Sequence, residues 1–351
     1  MSDAPRLAIT LAQLAQFDEI IDARSPSEFT EDHIPGAVNL PVLNDEERAQ
    51  VGTLYKQVSP FAAKKLGAAL VARNIASHLE HYCLDKPKSW RPLVYCWRGG
   101  SRSGAMVHIF SKVGWRAEQL DGGYKAYRRA VLAALETLPA QYRYRVVCGL
   151  TGTGKSRLLS ALQHLGAQVL DLEQLAAHRG SLLGNLPDAA QPPQKMFESQ
   201  LWAELQKFDP SQPVYIEAES KKIGNLRVPD SLLDNMWQSR CIRIEAEQQA
   251  RVTLLKEEYT HFLQDPAALN AKLEFLTGLY GREIISRWQQ LAHSGEWNTL
   301  VGELLERHYD PAYTKSMLKH YPRYDEGLIL QTDDLSEARL AELAARAIAW
   351  P

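Results

Sequence analysis

The stretch "YRVVCGLTGTGKSRLLSALQHLG", Tyr144–Gly166, joins an apolar run to a glycine-rich turn and then to a segment with helical apolar spacing. Its central part fits the pattern G-x-x-x-x-G-K-[ST]. Glycines allow backbone N–H groups to wrap an anion, and the helix that follows points its N-terminal N–H groups at the same place. The pattern therefore predicts a strand, a phosphate-binding loop and a helix. The expected phosphate ligands are Gly149, Gly152, Thr153, Gly154, Lys155 and Ser156, with Ser156 also a candidate Mg²⁺ ligand.

Downstream of this loop, the sequence predicts further strands at "AQVLDL", "PVYIEAE", "RCIRIEA" and "GLILQT". The segment from about 248 to 300 is charged and helical in pattern, with no strand signal. We therefore predict a phosphate-loop α/β domain over residues 139–351 with a helical insertion at about 248–300. Ligands bind at the carboxyl edge of such sheets. Candidate substrate-binding residues at that edge are Asp171, His178, Arg179, Glu217, Glu219, Lys221, His308 and Tyr313, the last two in "HYDPAY", which we interpret as a loop.

Upstream of the phosphate loop, strand and helix patterns alternate through residue 130, which predicts a parallel-sheet α/β domain over residues 1–138. In "VYCWRGGSRSG", Val94–Gly104, a cysteine ends a strand and a helix begins just after. Gly99 and Gly100 allow the backbone to curl, and Arg98 and Arg102 would favour a thiolate at Cys96. The loop therefore predicts a nucleophile within an anion cradle. A lone cysteine is also commonly a small buried hydrophobe, which is the alternative.

Composition narrows the class of protein. The chain of 351 residues is 45% hydrophobic and 23% charged, enough for two packed cores. Its four cysteines include no CxxC pair, which disfavours disulfides and thiolate zinc sites and indicates a reducing cytoplasm. Since no apolar run approaches a membrane span and the first residues lack a signal-peptide pattern, we expect a cytoplasmic protein without membrane contact. The net charge of −2 does not by itself indicate nucleic-acid binding.

Three separated motifs occur in the order typical of one known domain: "DARSPSEFTEDHIPGAVNLP", "YCWRGGSRSG" and "LDGGYKAY". Residues 22 to about 127 therefore resemble a rhodanese domain, a family in which the loop cysteine carries a transferable chalcogen as a persulfide. One feature departs from common rhodaneses, because Arg102 lies six rather than five residues after Cys96. The longer loop makes a wider cradle, which favours a thio- or selenophosphate as its ligand.

Together with "NDEERAQVGTLYKQ", "LEQLAAHRGSLLG", "IEAESKKIG" and "HYDPAY", these motifs make nearly the whole chain resemble the bacterial tRNA 2-selenouridine synthases. The resemblance implies a transferase that acts on the wobble uridine of tRNA. Geranyl diphosphate would first geranylate 2-thiouridine, and selenium from selenophosphate would then replace the S-geranyl group. Catalytic roles would fall on Cys96, Arg98, Arg102 and Lys155. The resemblance implies no tightly bound cofactor, Mg²⁺ as a candidate, and an enzyme supplying selenophosphate as a candidate partner.

Binding of a tRNA anticodon loop would require a local basic surface. Basic residues cluster between Lys112 and Arg129 and continue at Arg143 and Arg145, with tyrosines interleaved on which bases could stack. The candidate tRNA-binding residues are Lys125, Arg128, Arg129, Arg143 and Arg145, and a merely solvated basic linker is the alternative. Sequence near Leu182 or Trp237 is a candidate lining for the geranyl chain, although such residues are more often core.

Two other functions fit parts of the same pattern. The first is a phosphate-loop kinase or ATPase with a regulatory rhodanese module, which would turn over nucleotide and ignore geranyl diphosphate. The second is a non-catalytic binding module in which Cys96 is inert. An activated thiolate would react with iodoacetamide at mildly acidic pH, whereas a buried thiol would not.

Overall fold

The computed structural model describes residues 9–351, which divide into two compact units. One unit ends at Ala134 and also takes in Pro193–Ala203, and the other comprises Leu135–Pro192 and Glu204–Pro351. Each unit contains a parallel sheet with helices. The predicted α/β class, with two parallel-sheet domains and a helical insertion in the second, is confirmed.

The first unit is built on four parallel strands. They are β1 (Glu19–Asp22), β2 (Val38–Asn39), β3 (Pro92–Tyr95) and β4 (Glu118–Gln119), in the spatial order β2, β1, β3, β4. Its helices are α1 (Pro26–Glu31), α2 (Asp45–Gln57), α3 (Pro60–His78), α4 (Ser101–Val113) and α5 (Gly123–Thr137). Every residue of β3 is buried, so the strand that leads to Cys96 lies at the centre of the core.

The second unit has a five-stranded parallel sheet. Its strands are β5 (Arg143–Cys148), β6 (Gln168–Leu170), β7 (Pro213–Glu217), β10 (Arg240–Ala246) and β11 (Leu328–Thr332), in the order β11, β10, β5, β7, β6; β8 (Lys222–Ile223) and β9 (Leu226–Arg227) form a separate antiparallel pair. The helices around it are α6 (Lys155–His164), α7 (Leu172–Leu175), α9 (Asp230–Trp237) and α16 (Glu337–Ala349), whereas α8 (Gln194–Leu205) belongs almost entirely to the first unit. The central strand β5 leads directly into the phosphate loop.

A helical segment separates β10 from β11 in the chain. It contains α10 (Gln248–Glu258), α11 (Thr260–Gln264), α12 (Pro266–Leu273), α13 (Thr277–Ser294, broken at Gly281), α14 (Trp297–Leu304) and α15 (Asp310–His320). As predicted, residues 248–300 contain no strand, and the helical segment extends beyond them to His320. The loop expected at "HYDPAY" is wrong, because these residues span a helical turn and the start of α15. Pro311 stands in the first turn of α15, where its missing N–H costs no helical hydrogen bond.

Membrane insertion by a helix finds no support in this fold. Among residues 9–351, no helix is both long enough and apolar enough to cross a bilayer.

Candidate functional site

In the first unit, Cys96 follows β3 directly and lies at the start of a tight loop into α4. The Ser103 hydroxyl donates a hydrogen bond to the Cys96 Sγ at 3.1 Å, and the Gln119 Nε2 donates to the Ser103 oxygen at 2.7 Å. Cys96 as a whole is 3% exposed, so these contacts are largely shielded from solvent. Ser103 and Gln119 were not among the sequence candidates. Of the two, only Ser103 could have been found from the sequence, because its hydroxyl lies in the first turn of the helix that follows Cys96.

The surroundings of Cys96 favour its thiolate. Burial by itself raises the pKa of this thiol, but the Ser103 hydroxyl, the backbone N–H groups of Ser103 and Gly100, and the charge of Arg102 together lower it below the ordinary cysteine value. Cys83 provides a contrast in the same unit, because burial raises its pKa to about 11. The surroundings in this unit therefore favour the thiolate at Cys96 and the neutral thiol at Cys83.

The motif "LDGGYKAY" packs against the cysteine loop. The backbone N–H of Tyr124 donates to the Cys96 carbonyl oxygen at 2.8 Å, and that of Lys125 donates to the Trp97 carbonyl oxygen at 3.0 Å. Gly123 has a φ of +53°, and a Cβ there would clash with the Cys96 carbonyl oxygen and lie 2.5 Å from the backbone nitrogen of Gly99. The two motifs thus form one structure, with Gly123 as the point of closest approach.

The two loop arginines have different surroundings. Arg102 forms a forked ion pair with Glu28, at 2.6 Å and 3.4 Å, from the first turn of α1. Arg98 is exposed and has no ion pair with another described residue. Glu28 was missed in the sequence, where it could be found only as the acidic member of a Ser25-x-x-Glu capping box. Arg102 therefore stays near the sulfur while a carboxylate neutralises part of its charge.

The motif "DAR" is structural. Asp22 and Arg24 are fully buried, and the Arg24 guanidinium donates to both Asp22 carboxylate oxygens at 2.6 to 3.0 Å. Its other side stacks on the Tyr124 ring at 3.9 Å. This pair links the end of β1 to the loop that touches Cys96.

In the second unit, three glycines shape the phosphate loop. Gly149, Gly152 and Gly154 have φ values of +159°, +79° and +84°. A Cβ on Gly152 would lie 2.9 Å from the Leu255 side chain, and the Gly149 N–H donates to the Tyr313 hydroxyl at 2.9 Å. Thr153 is buried and its hydroxyl closes the loop on the Leu150 carbonyl oxygen. These contacts make the loop conformation depend on glycine at these positions.

Lys155 folds back over the loop. Its ammonium donates to the Gly149 carbonyl oxygen at 2.8 Å and lies 5.1 Å from the centre of the Tyr313 ring. Burial lowers the pKa of Lys155, although the carboxylates of Glu173 and Glu219 oppose this shift. The ammonium is therefore poised at the place where the loop amides would hold a phosphate group.

Acidic side chains surround the helix start beside Lys155. Ser156 donates to the Glu173 carboxylate at 3.2 Å, and the Glu173 N–H donates to Glu217 at 2.8 Å. Glu217 is 2% exposed, and its Oε2 has no hydrogen-bond partner among the described residues. Burial first, and then mutual repulsion, raises the pKa values of Glu217 and Glu219 well above the ordinary value. Glu173 was missed because it comes three residues after the end of β6 and resembles an ordinary carboxylate at the start of a helix.

The remaining acidic candidate has a structural contact. The Asp171 carboxylate accepts from the Gln174 N–H at 2.8 Å and so caps α7, and burial raises its pKa.

The oxygen atoms of Ser156 and Glu173 fit Mg²⁺, which typically takes few protein ligands and completes its shell with water and phosphate. Within the described part of the chain, no group of three or more His, Cys, Asp or Glu side chains is arranged around a metal position. The two donors could therefore hold Mg²⁺ only together with a bound phosphate.

A cavity of about 550 Å³ lies over the phosphate loop. Its lining includes the sequence candidates Gly152, Gly154, Lys155, Ser156, Asp171, His178, Arg179, Glu219 and Tyr313. His178 is buried, which lowers its pKa, and its Nδ1 accepts from the Gly180 N–H at 3.1 Å. Arg179 donates to the Glu258 carbonyl oxygen at 2.8 Å. The structure thus gathers loop, acidic cluster and basic side chains around one space.

One arginine that was not a candidate from the sequence holds the phosphate loop beside this cavity. Arg251, from α10, is 4% exposed and donates through Nε to the Thr151 carbonyl oxygen at 2.9 Å. The same guanidinium forms a forked ion pair with Asp310 at the start of α15. Arg251 therefore ties the helical segment to the phosphate loop, and no local pattern reveals it.

Three of the substrate candidates do not line the cavity: the buried Glu217, Lys221 and His308. Lys221 is exposed and lies 5.7 Å from the centre of the Trp237 ring, which in turn stacks on His320. His308 packs against Tyr280, whose hydroxyl lies 3.0 Å from its Nδ1.

The basic residues considered for tRNA fall into two groups. Arg128 forms an ion pair with Glu198, and Arg145 donates to the Tyr215 hydroxyl and the Ala347 carbonyl oxygen, each at 3.0 Å. Lys125, Arg129 and Arg143 are exposed. The expectation of stacking by the interleaved tyrosines is wrong, because all four rings are buried: Tyr124, Tyr127, Tyr142 and Tyr144.

Two protein families match successive parts of the chain. The family described as "Rhodanese-like domain" matches residues 8–130, and the one described as "tRNA 2-selenouridine synthase AAA domain" matches residues 142–280. A rhodanese-related protein of known structure from Thermoplasma volcanium is 18% identical, with 35% of this chain and 91% of that chain covered and a TM-score of 0.23.

Two relatives named tRNA 2-selenouridine synthase are similar to the chain. The one from Nitrosomonas europaea is 38% identical over 68% of this chain, and the match spans less than two thirds of that relative, 63%. The one from Aeromonas salmonicida is 32% identical, over 89% of this chain and 91% of the relative. Because this second match runs through both the cysteine loop and the phosphate loop, the chain belongs to the tRNA 2-selenouridine synthase family.

Proposed function

We propose that the chain is a transferase that converts 2-thiouridine at the wobble position of tRNA into 2-selenouridine through an S-geranyl intermediate. The observation that carries the proposal is the presence of an activated cysteine in one unit and a phosphate loop beside a large cavity in the other. The names of the relatives support tRNA as the substrate.

The first step belongs to the phosphate loop. The sulfur of 2-thiouridine attacks C1 of geranyl diphosphate, the C1–O bond breaks, diphosphate leaves with the electron pair, and the base loses its N3 proton. Lys155 and the loop N–H groups stabilise the charge that develops on the diphosphate. Ser156 and Glu173 would hold Mg²⁺, which supplies further charge neutralisation when bound. In this mechanism the loop holds a leaving group and hydrolyses no nucleotide.

The second step belongs to the cysteine loop. Alkylation of the sulfur makes C2 of the base electrophilic and creates a good leaving group. Selenium of selenophosphate attacks C2, the C2–S bond breaks, and the geranyl thiolate leaves and takes a proton from water. Water then cleaves the Se–P bond to give phosphate and 2-selenouridine. Cys96, with Arg98 and Arg102 beside it, is the place where we expect the selenium donor to be held.

The test is to incubate the protein with tRNA containing 2-thiouridine, geranyl diphosphate and selenophosphate, and to determine the nucleoside masses. Absence of both the geranylated and the selenated nucleoside would reject the proposal. A parallel measurement of ATP hydrolysis tests the kinase or ATPase alternative, for which turnover without tRNA modification is the expected signature.

Substitutions separate the two steps. Lys155→Ala removes geranylation because the diphosphate loses its point charge, while Cys96→Ala retains geranylation and loses selenation. Intact-protein mass after exposure to selenophosphate shows whether selenium binds Cys96 covalently. Equal loss of both products in Cys96→Ala would contradict this assignment of the steps to two sites.

A further inference from the structure

A second cavity lies within the helical segment of the second unit. Apolar side chains from several helices line most of it, among them Leu255, Phe262, Leu300, Val301 and Leu304. Its volume is about 60 Å³. Phe262, Leu300 and Leu304 also belong to the core cluster of the helical segment, and α10 contributes Leu255 to the lining. We call this space the apolar chamber.

The apolar chamber adjoins the cavity over the phosphate loop. The two spaces share Thr151, Ser181, Leu255, Tyr259 and Tyr309 in their linings. Thr151 is itself part of the phosphate loop, and Leu255 touches the position where Gly152 lacks a side chain. The two spaces therefore adjoin beside the phosphate loop.

The lining of the chamber limits what could occupy it. An apolar cavity does not attract water, and the contacts missing from its walls weaken the fold. A hydrocarbon chain restores those contacts, and a diphosphate at its end reaches the loop amides and Lys155. A ligand with a hydrocarbon chain at one end and a diphosphate at the other therefore matches the chemistry of the two adjoining spaces.

We propose that the apolar chamber binds the prenyl chain of geranyl diphosphate while the phosphate loop binds its diphosphate; this inference rests on the proposed function. Of the two stretches that the sequence offered for the chain, the one near Leu182 contributes Leu183 to the chamber lining, although Leu182 itself is exposed. Trp237 does not line the chamber and stacks on His320. The volume of the empty chamber is smaller than a ten-carbon chain requires, so the Leu and Phe side chains of its walls shift when the chain enters.

The expected affinities follow from burial of the chain. Each buried methylene group contributes about fourfold to affinity. Geranyl diphosphate should therefore bind at least about tenfold more tightly than inorganic pyrophosphate, with dimethylallyl diphosphate between them. Isothermal titration calorimetry of the full chain with each of these three compounds measures the series.

Two substitutions test the location. Val301→Phe fills the chamber and should weaken geranyl diphosphate at least about tenfold while leaving pyrophosphate unchanged. Leu300→Ala enlarges the chamber and should shift the preference toward farnesyl diphosphate. Leu273→Ala is the matched control, because Leu273 and Leu300 are both 0% exposed in the same core cluster but only Leu300 lines the chamber. If Val301→Phe does not fold, the pair Leu300→Ala and Leu273→Ala still decides the question.

The outcomes separate this inference from the proposed function. Failure of both geranyl diphosphate and pyrophosphate to bind would overturn both. If geranyl diphosphate binds but no more tightly than pyrophosphate, or if Leu273→Ala changes chain-length preference as much as Leu300→Ala, the location is wrong and the proposed function stands. The location of the prenyl chain is supported if geranyl diphosphate binds more tightly than pyrophosphate and only the chamber variants change that binding.

Discussion

Gly123→Ala should disrupt the cysteine loop without affecting the phosphate loop. Gly123 has a φ of +53°, and an added Cβ would clash with the Cys96 carbonyl oxygen and lie 2.5 Å from the Gly99 nitrogen. Both neighbours are backbone atoms, so no side-chain rotation relieves the overlap. The loop must move, and with it the contacts of Ser103 and Tyr124 that surround the sulfur.

The expected loss in the free energy of unfolding of Gly123→Ala has two contributions. A side chain in the left-handed region costs about 1–2 kcal/mol. Forcing an extra methyl group into a packed site adds about 1–3 kcal/mol. Gly36→Ala is the matched control, because Gly36 has a φ of +83° and a Cβ there would meet no atom within 4 Å. It should cost only the first contribution, whereas Gly123→Ala should cost about 2–5 kcal/mol in total.

Urea unfolding measures the loss of stability in both variants, and iodoacetamide labelling measures the reactivity of Cys96. We expect Gly123→Ala to lose selenation and rapid Cys96 labelling while geranylation continues. If Gly123→Ala is as stable as Gly36→Ala and its Cys96 reacts at the wild-type rate, the close approach at Gly123 does not hold the cysteine loop in place.

Two further predictions concern the same unit. Ser103→Ala removes a hydrogen bond that stabilises the thiolate, so it should raise the pKa of Cys96; because the thiolate is present only above that pKa, the onset of alkylation should move to higher pH. Mass spectrometry of the labelled peptides measures the pH at which alkylation begins. Cys83 is the internal control, because burial raises its pKa to about 11. An unchanged pH of onset at Cys96 would argue against the role of Ser103. Arg24→Met leaves the buried Asp22 carboxylate without its partner and should cost about 3–5 kcal/mol in urea unfolding. The double variant Asp22→Leu with Arg24→Met should recover most of that loss, and a single variant that costs under about 1 kcal/mol would show that the pair matters little.

The helices, strands and loops beside Cys96 and Lys155 could be predicted from the sequence alone. The α/β class, the strand that leads to Cys96, the phosphate loop and the helices after both loops could be predicted because apolar periodicity and glycine positions act over a few residues. The end of α4 at Gly114, with a φ of +114°, is such a local signal. The burial of Tyr124 and Tyr127 could also have been predicted, since they lie three residues apart on one face of a helix.

Contacts between side chains that are far apart in the sequence become visible only in the tertiary structure. Arg102 pairs with Glu28 across 74 positions, and Arg251 holds the Thr151 carbonyl oxygen across 100. The acidic cluster of Glu173, Glu217 and Glu219 arises because the ends of β6 and β7 lie side by side in the sheet. The apolar chamber has no sequence signature, since its walls come from several helices that each read as an ordinary amphipathic segment. Such features depend on how elements pack, and that information is not contained in any single stretch of chain.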